Sequence, residues 1–326
     1  MAIAEFALIE RYFKQAQPTQ RDLVLGIGDD AALVTVPAGQ QLCVAVDTLV
    51  AGVHFPHATS AFDIGYKALA VNLSDMAAMG ACPRWFTLAL TLPNTDEQWL
   101  KEFSAGLFAL ATQHDLALIG GDTTAGPLTI SIQILGLLPL GHALLRSGAQ
   151  IGDDIYVSGS IGDAGLTLRL LQKKEPVLAA ADRDFLLERL NRPTARVKLG
   201  QALLPLAHAA IDISDGLLVD LSHILTRSQC GARLWLDKIP LSQAYVRGNP
   251  KHDSTAKIMN AACAGDDYEL CFTAPSKHRA ALTSLSQDLS LPLTRIGEII
   301  AEQGLFSADA QGRLSPLQAR GFEHFA

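Results

Sequence analysis

The chain has 326 residues, of which 49% are hydrophobic and 18% charged, and its formal net charge is −7. This length predicts two domains of roughly 150 residues each, and the hydrophobic content is enough for sizeable cores and argues against disorder. The acidic balance, without a cluster of Lys and Arg, argues against nucleic acid or an anionic membrane as partner, and the most apolar run, residues 130–140, is far shorter than the ~20 residues of a membrane span.

The cysteines and the N-terminal segment are both typical of a cytoplasmic protein. The five cysteines are odd in number, widely scattered and without a Cys-x-x-Cys pair: Cys43, Cys82, Cys230, Cys263 and Cys271. This usage favours thiols in a reducing compartment. Residues 4–17 carry Phe6, Ile9 and Phe13 at helical spacing among charged side chains, which predicts an amphipathic helix rather than a signal peptide.

The first half of the chain alternates short β-rich runs with helical stretches. Strands are predicted over residues 33–36, 41–46, 84–92, 116–119 and 128–138. Helices are predicted over residues 62–79 and 96–114, the second capped by Asn94 or Thr95 with Glu97 in its first turn. This order of elements predicts a sheet with helices packed against it.

The pattern changes near Arg146-Ser147-Gly148-Ala149, so we expect an N-terminal domain over residues 1–149 and a C-terminal domain over residues 150–326. The second half begins with a strand at residues 154–158. Helices are predicted over residues 164–172, 185–190, 196–207 and 217–226, and strands over residues 232–236, 268–273 and 294–300. Both halves therefore mix helices and strands.

Aspartates recur inside apolar, glycine-rich surroundings. The segments are Gly26-Ile27-Gly28-Asp29-Asp30, Val46-Asp47-Thr48, Asn72-Leu73-Ser74-Asp75, Gly120-Gly121-Asp122-Thr123 and Ile211-Asp212-Ile213-Ser214-Asp215-Gly216. An ionised carboxylate is costly to remove from water unless it is paired or ligates a metal, and few basic residues lie near these aspartates. Oxygen ligands without Cys or His pairs favour Mg²⁺, which binds through a few carboxylates together with substrate phosphates. The pattern therefore predicts phosphate chemistry.

The first of these segments superficially fits a dinucleotide-binding fingerprint. It is followed by a β-branched run closed by Pro37 rather than by a helix, and Asp29 and Asp30 would repel a pyrophosphate. A cation between the two carboxylates would reverse that repulsion. An Asp-rich turn between strands is the plainer interpretation.

Three further segments each allow a functional and a structural interpretation. Asp47 is expected at a strand end, as a ligand or a turn residue. Asn72 and Asp75 share one face of a helix, where they either present two oxygens together or form a solvated polar stripe. Gly120 and Gly121 follow a strand, where they either admit a ligand to the backbone or form a plain turn.

The second half offers similar alternatives. Asp212 and Ser214 alternate along one side of an extended segment, and Asp215 opens a helix as a ligand or as a cap. Residues 158–165 have the glycines of a phosphate cradle at a helix N-terminus but lack the lysine of a P-loop. His54 is the candidate functional histidine. Arg146 is the candidate for a side chain that clamps a phosphate.

Taken in order, these segments, with residues 47–55 and 67–81 and with Asp267-Tyr268-Glu269-Leu270, resemble the thiamine-monophosphate kinase family over nearly the whole chain. That family belongs to the aminoimidazole ribonucleotide synthetase-like superfamily. The resemblance implies an α+β fold of two α/β-mixed domains, in which the N-terminal sheet forms a barrel across a homodimer and the C-terminal domain is an α/β sandwich. It also implies ATP-dependent phosphorylation of thiamine monophosphate to thiamine diphosphate with several Mg²⁺ ions.

The resemblance further implies roles for individual residues. The expected Mg²⁺ ligands are Asp30, Val46 through its backbone carbonyl, Asp47, Asp75, Asp122, Asp212 and Asp215. The expected ATP contacts are Gly121, Asp122, Arg146 and Ser214. The expected catalytic residues are Asp212, Asp122 and Arg146, and the expected contacts to thiamine monophosphate are His54, Asp266 and Phe322. The chain departs from the family pattern at Ala45 and Val46, where hydroxyl residues are frequent, and at Asp266, where glutamate is usual.

The residues support a direct transfer. Both reactants are anions, so Mg²⁺ bound by the aspartates would neutralise them and align an in-line attack without a protein nucleophile. Two alternatives stay open: a sister ATP-dependent synthetase acting on an amide oxygen or selenide, and a non-catalytic metal- and nucleotide-binding module. A selenide enzyme would need a reactive cysteine near the N-terminus, and none precedes Cys43. Release of ADP with and without thiamine monophosphate separates these readings.

Overall fold

The chain forms two compact units. The computed structural model describes residues 5–14, 22–173, 178–250, 253–309 and 311–324. The first unit consists of Met1–Met76 and Ala81–His142, and the second of Ala77–Gly80 and Ala143–Ala326. Each has its own sheet, helices and buried core.

The first unit is built on a four-stranded sheet. Its elements in chain order are α1 (Glu5–Leu8), a π-helical turn (Ile9–Phe13), β1 (Leu23–Leu25), β2 (Leu33–Val34), β3 (Gln40–Val50), α2 (Ala61–Met79), β4 (Cys82–Leu92), α3 (Glu97–Gln113), β5 (Ala117–Ala125) and β6 (Thr129–Pro139). The sheet order is β3-β6-β4-β5, in which β6 is antiparallel to both neighbours and β4 and β5 are parallel. β1 and β2 form a separate antiparallel ribbon.

One face of this sheet is covered by α2, against which α3 packs. A Cβ atom on Gly136 of β6 would lie 2.8 Å from the Met76 sulfur of α2. A Cβ atom on Gly65 would lie 2.1 Å from the carbonyl oxygen of Phe103, so the two helices approach as closely as their backbones allow. The helix-covered face of the sheet therefore forms the core of this unit.

The opposite face is accessible along β3. Leu42, Val44 and Val46 are 39%, 49% and 63% exposed. Because side chains alternate between the faces of a strand, these three lie on the same face. They give this edge of the sheet an accessible apolar surface.

The second unit is built on a seven-stranded sheet of order β13-β12-β9-β11-β7-β10-β8. Its elements in chain order are β7 (Asp154–Ser158), α4 (Asp163–Lys173), α5 (Ala180–Asn191), α6 (Val197–Leu203), β8 (Ala209–Asp212), α7 (Leu217–Ser228), β9 (Gly231–Leu234), α8 (Gln243–Gly248), α9 (Ser254–Ala262), β10 (Leu270–Ala274), α10 (Arg279–Asp288), β11 (Leu293–Ile300), β12 (Gly304–Ala308) and β13 (Leu314–Pro316). Neighbouring strands are antiparallel, except that β12 is parallel to β9.

The central strands of this sheet are completely buried. Every residue of β7 and β10 is buried, including Asp154, whose side chain is paired rather than solvated. Arg279 donates to its carboxylate at 2.5 Å and 2.8 Å, and Arg295 donates to the same group. A buried carboxylate is tolerated here because two guanidinium groups replace its water.

The long elements predicted from the sequence are confirmed, and their ends shift. The helices predicted over residues 62–79 and 96–114 are α2 and α3. The predicted cap of α3 is wrong, because Asp96 accepts the backbone N–H groups of Gln98 and Trp99 at 2.9 Å and 3.1 Å. The predicted N-terminal helix is helical over Glu5–Leu8 and Ile9–Phe13. Residues 4 and 15–17 of that prediction lie outside the described residues.

Several strand and helix ends were predicted wrongly. The strands expected to stop at residues 46 and 119 continue to Val50 and Ala125, because each is paired with a neighbour along its full length. The strand predicted over residues 33–36 is only Leu33–Val34, and the helix predicted over residues 196–207 ends at Leu203, before Pro205. The helix predicted over residues 185–190 is α5, which begins earlier, at Ala180. The other elements predicted in the second half are confirmed as β7, α4, α7, β9, β10 and β11, with ends that differ by at most two residues.

The remaining expectations concern the membrane and the thiols. In the parts of the chain that the structure describes, every helix is too short or too polar to cross a bilayer. All five cysteines are free thiols, and Cys230 and Cys271 are buried.

Candidate functional site

The second unit places a short loop between β8 and α7, and this loop carries several predicted site residues. β8 ends at Asp212, which is 5% exposed, and α7 begins at Leu217. Gly216, with φ of +131°, occupies the N-cap position, where a Cβ atom would lie 3.0 Å from the backbone of Cys263. The tight packing of this glycine fixes the path of the loop.

Asp220, which the sequence analysis missed, stabilises the loop from the first turn of α7. Its carboxylate accepts the backbone N–H groups of Asp215 and Gly216 at 3.1 Å and 3.0 Å. Burial, and next the charge of Asp212, raise the pKa of Asp220 to about 7. Asp215 is therefore not the helix cap, and its side chain is available for another role.

Asp215 lies in a mixed electrostatic environment. Burial raises the pKa of Asp215, and the nearby His324 and His223 oppose that shift. Asp266 raises the pKa further, whereas Arg146 lowers it. Arg146, predicted as a phosphate clamp, is thus within electrostatic range of this carboxylate.

Backbone hydrogen bonds connect two other segments to the loop. The Asp266 N–H donates to the Ser214 carbonyl at 2.8 Å, and the Phe322 N–H donates to the Asp215 carbonyl at 2.9 Å. Phe322 is 49% exposed. The structure therefore brings together five residues that were predicted from the sequence to act in substrate, nucleotide or metal binding: Asp212, Ser214, Asp215, Asp266 and Phe322.

The glycine-rich loop before α4 is not a phosphate cradle. The Gly162 N–H donates to the buried carboxylate of Asp267 at 2.7 Å, and a Cβ atom on Gly159 would lie 2.3 Å from a carboxylate oxygen of Glu269. Ser160 donates to Asp163 at 2.9 Å. The anionic groups that this loop meets are therefore carboxylates of the chain itself, and its glycines serve packing.

In the first unit, α2 places Asn72 against Asp47 of β3 and Asp75 near Cys43 of the same strand. The Asp47 N–H donates to the Asn72 side-chain oxygen at 3.2 Å, and Asn72 is fully buried. Burial, and next the charge of Asp75, raise the pKa of the Cys43 thiol on the same strand. The shared helix face is confirmed, and the solvated stripe is ruled out by the burial of Asn72. Asp47 was predicted to lie at a strand end. It lies inside β3, because β3 pairs with β6 as far as Val50.

Val46 presents a different geometry from its neighbour. Its side chain is on the accessible face of the sheet. Because the Asp47 N–H points at Asn72 and away from β6, the alternation of an antiparallel strand turns the backbone groups of Val46 toward β6.

A second group of predicted residues lines a cleft of about 770 Å³ in the first unit. Asp29, Asp30, Gly121 and Asp122 all lie on its wall, together with Lys14. Gly121 and Asp122 belong to β5 and not to a turn, which corrects the sequence interpretation. A Cβ atom on Gly121 would lie 1.9 Å from a backbone oxygen of β4, so pairing with that strand alone requires glycine.

The two carboxylate groups of the first unit are separated by the sheet. Asp47 of β3 lies opposite Ile132 of β6. Asp122 of β5 lies opposite Ala89 of β4, which in turn lies opposite Ser131, the residue of β6 next to Ile132. Adjacent residues of a strand point to opposite faces, so Asp47 and Asp122 lie on opposite faces. In the described residues no three His, Cys, Asp or Glu side chains are already arranged to hold one metal ion.

His54 is held by its own turn. Its Nδ1 accepts the Val50 N–H at 3.0 Å, and the buried Lys67 ammonium donates to its carbonyl at 3.3 Å. A ring nitrogen that accepts an N–H cannot also carry a proton, so the neutral ring has its proton on Nε2. His54 thus presents an Nε2 donor to its surroundings.

Two family models match most of the chain. The N-terminal domain of AIR synthase related proteins matches residues 28–138, and the C-terminal domain of the same proteins matches residues 150–309. Among curated proteins, the chain is 49% identical to the thiamine-monophosphate kinase of Escherichia coli strain K12, with 100% of this chain and 99% of that protein covered.

Solved structures agree with these matches. The crystal structure of thiamine-monophosphate kinase from Stenotrophomonas maltophilia K279a superposes with a TM-score of 0.85 at 50% identity, covering 97% of this chain and 99% of that one. The structure of AaThiL complexed with AMPPCP and TMP superposes with a TM-score of 0.79 at 30% identity, covering 92% of each chain. The chain therefore belongs to the AIR synthase related proteins and, within them, to the thiamine-monophosphate kinase family.

Proposed function

We propose that the chain transfers the γ-phosphoryl group of ATP to thiamine monophosphate, giving thiamine diphosphate and ADP. The observation that carries this proposal is the convergence of Ser214, Asp215, Asp266 and Phe322 on one loop system of the second unit. The similar structure of AaThiL, which is complexed with AMPPCP and TMP, supports it. In this chain AMPPCP would correspond to ATP and TMP to the phosphate acceptor.

Each predicted residue has a role that suits its chemistry. Gly121, Asp122, Arg146 and Ser214 bind ATP. His54, Asp266 and Phe322 bind thiamine monophosphate, in which Phe322 offers an accessible ring for the cationic heterocycle and His54 offers its Nε2 proton. Asp212, Asp122 and Arg146 act at the transferring group.

The donor set fits Mg²⁺ in its chemistry. The carboxylates fall into three pairs: Asp30 with Asp122 on the cleft of the first unit, Asp47 with Asp75 between β3 and α2, and Asp212 with Asp215 in the loop of the second unit. Burial is the main cause of the raised pKa of both Asp215 and its neighbour Asp220, and the charges of Asp266 and Asp212 add to the respective shifts. A divalent cation would stabilise the ionised carboxylates of this loop. Mg²⁺ bound by these carboxylates would neutralise the phosphates of both substrates. The Val46 carbonyl, which faces β6, is left out of this set.

We propose a direct in-line transfer without a phosphoenzyme. The two substrates repel each other, because a phosphomonoester carries a charge of about −1.5 to −2 at neutral pH. The side chains of the chain therefore act by binding and orienting rather than by nucleophilic attack. Rapid quench with labelled ATP tests this step: label should appear in thiamine diphosphate and never on protein, and a labelled protein intermediate would contradict it.

We propose further that residues 1–149 form the metal- and ATP-binding and dimerisation domain, and that residues 150–326 form a C-terminal α/β sandwich. The accessible apolar strip of Leu42, Val44 and Val46 supports a homodimer in which two N-terminal sheets close into a barrel. Val44→Lys should produce monomers in light scattering coupled to size exclusion, and an unchanged mass would count against this interface.

The five free thiols favour a cytoplasmic protein.

The function is tested by measuring ADP release with thiamine monophosphate, thiamine and an aminoimidazole precursor as separate acceptors, while Mg²⁺ is titrated. We expect release with thiamine monophosphate alone and strict dependence on the divalent cation. Release without an acceptor would indicate a hydrolase or a sister synthetase. No release with any acceptor would indicate a binding module.

A further inference from the structure

The segment that carries Asp266 has an unusual backbone. Asp266 and Tyr268 have φ values of +68° and +51°, in the left-handed region that side chains other than glycine rarely adopt. For a bulky aromatic residue this conformation persists only where the surroundings impose it. Backbone conformations of this kind concentrate at functional sites.

The surroundings of this segment do impose the conformation. The Asp266 N–H donates to the Ser214 carbonyl and the Tyr268 N–H donates to the Ile213 carbonyl, both at 2.8 Å. A Cβ atom on Gly265 would lie 2.4 Å from the Ser214 carbonyl oxygen, so the two segments are in direct backbone contact. Between the two left-handed residues, the fully buried Asp267 anchors the segment by accepting the Gly162 N–H at 2.7 Å.

The result of this path is a contact between two side chains. The Tyr268 hydroxyl donates to the Asp266 carboxylate at 3.0 Å. Tyr268 is only 8% exposed and is therefore fixed, whereas Asp266 is half-buried and accessible to a ligand. A hydrogen bond to an ionised carboxylate is stronger than one between neutral groups, so it restricts the orientation of Asp266.

We propose that Tyr268 is a positioning residue that directs the Asp266 carboxylate toward the organic, cationic part of the phosphate acceptor. This inference rests on the proposed function, in which Asp266 contacts thiamine monophosphate. A carboxylate repels the phosphate of the acceptor and attracts its thiazolium cation and the amino group of its pyrimidine. The Asp side chain has one rotatable bond fewer than the Glu that is usual here. One hydrogen bond from the fixed Tyr268 hydroxyl is therefore enough to restrict the orientation of its carboxylate.

The test is a double-mutant cycle with Tyr268→Phe and Asp266→Asn, read out by steady-state kinetics and by calorimetric titration with thiamine monophosphate. Tyr268→Phe removes one hydroxyl and retains the ring. We expect it to raise KM and Kd for thiamine monophosphate by about tenfold, the effect of one hydrogen bond to a charged group, while kcat and KM for ATP change by less than about twofold. In the Asp266→Asn background, Tyr268→Phe should have much less effect.

Tyr245→Phe is the matched control, because Tyr245 is fully buried in the same unit and its hydroxyl donates to the backbone carbonyl of Lys257 at 3.0 Å. It should change the thermal midpoint without changing either KM. The inference is overturned if Tyr268→Phe resembles this control, if it raises KM for ATP equally, or if its effect adds fully to that of Asp266→Asn.

The same variants separate this inference from the function on which it rests. If Asp266→Asn raises KM for thiamine monophosphate and Tyr268→Phe does not, positioning by Tyr268 is wrong and the substrate contact stands. If Asp266→Asn leaves KM and Kd for the acceptor unchanged, the assigned contact is wrong, and positioning through it falls as well.

Discussion

The two units present their candidate site residues in different ways. In the second unit, backbone hydrogen bonds within the chain hold Ser214, Asp215, Asp266 and Phe322 in one place. In the first unit, the candidate residues are distributed over both faces of one sheet, and those on the cleft wall are exposed. The comparison teaches that in the second unit distant segments are hydrogen-bonded to one loop that carries the candidate residues, whereas in the first unit strand pairing fixes the sheet and leaves the side chains on the cleft wall exposed.

The largest effect should follow from removing one carboxylate charge from either unit. Asp75→Asn and Asp212→Asn should each lower kcat by about four orders of magnitude, roughly 5 kcal/mol, because each removes a carboxylate assigned to Mg²⁺, which would neutralise the transferring phosphates. Thermal unfolding should change little. Asp115→Asn is the control, since Asp115 is exposed with φ of +54°, a conformation that asparagine also adopts. Near-normal turnover of one variant alone would show that only the other unit carries the chemistry.

The buried ion pairs of the second unit provide the next contrast. Glu269 is fully buried and accepts hydrogen bonds from Nε and Nη2 of Arg196, the first at 2.6 Å, and from Arg189 at 3.1 Å. Glu269→Gln removes the negative charge that Arg196 and Arg189 share, while Arg189 keeps its longer contact with Asp163 at 3.6 Å. It should reduce the free energy of unfolding by about 4 kcal/mol in urea titrations. In the first unit, Asp22→Asn removes the partly exposed pair with Arg84 and should cost less than about 1 kcal/mol. Equal losses would remove the distinction between the units.

The same contrast explains how far the sequence predicts this molecule. The long periodic elements α2, α3, β4 and β6 were predicted within about two residues, because a strong period over many residues outweighs local exceptions. The ends of β3 and β5 were missed. Asp47, Gly120 and Gly121 favour turns locally, but pairing with neighbouring strands extends both strands through them, and such pairing is not visible in a single sequence.

The candidate site shows the same limit. The residue types of Asp212, Ser214 and Asp215 were sufficient to select the loop, and Asn72 and Asp75 were correctly placed on one helix face. Tyr268 and Asp220 were missed, because their roles depend on contacts with segments that periodicity does not bring together. For Asp220, an acidic residue among the apolar residues of the first turn of α7 is the signal that could have identified it.

Acid should weaken the second unit through Asp154. Burial alone would raise the pKa of Asp154, but hydrogen bonds from Arg279 and the charge and hydrogen bond of Arg295 outweigh it and hold the pKa below its ordinary value. A lowered folded-state pKa gives stability that is present above the unfolded value of about 3.9 and is lost as pH falls through the folded value. Between pH 7 and pH 2, the wild type should therefore lose more free energy of unfolding than Asp154→Asn loses.

Urea titrations across that pH range measure the difference. Asp184→Asn is the control, because Asp184 is exposed and its pair with Arg183 lies at the surface. Its pH dependence should match that of the wild type. If Asp154→Asn also matches the wild type, the two arginines do not depress the pKa of Asp154.

The smallest effect should come from substitutions of His54, read out as KM for thiamine monophosphate. They test whether His54 binds the substrate or serves only to hold its own turn in the first unit. Glutamine places an amide N–H near the position of Nε2, whereas asparagine places an amide oxygen near the position of Nδ1, which accepts the Val50 N–H. If Nε2 donates to the acceptor as proposed, His54→Gln should keep KM for thiamine monophosphate within about threefold and His54→Asn should raise it about tenfold, roughly 1.4 kcal/mol. The exposed His142 supplies the control as His142→Gln, which should change neither KM nor thermal stability. The reverse order, with asparagine better than glutamine, would show that His54 serves the Val50 backbone and that this turn, like the loop after β8, is held by the chain alone.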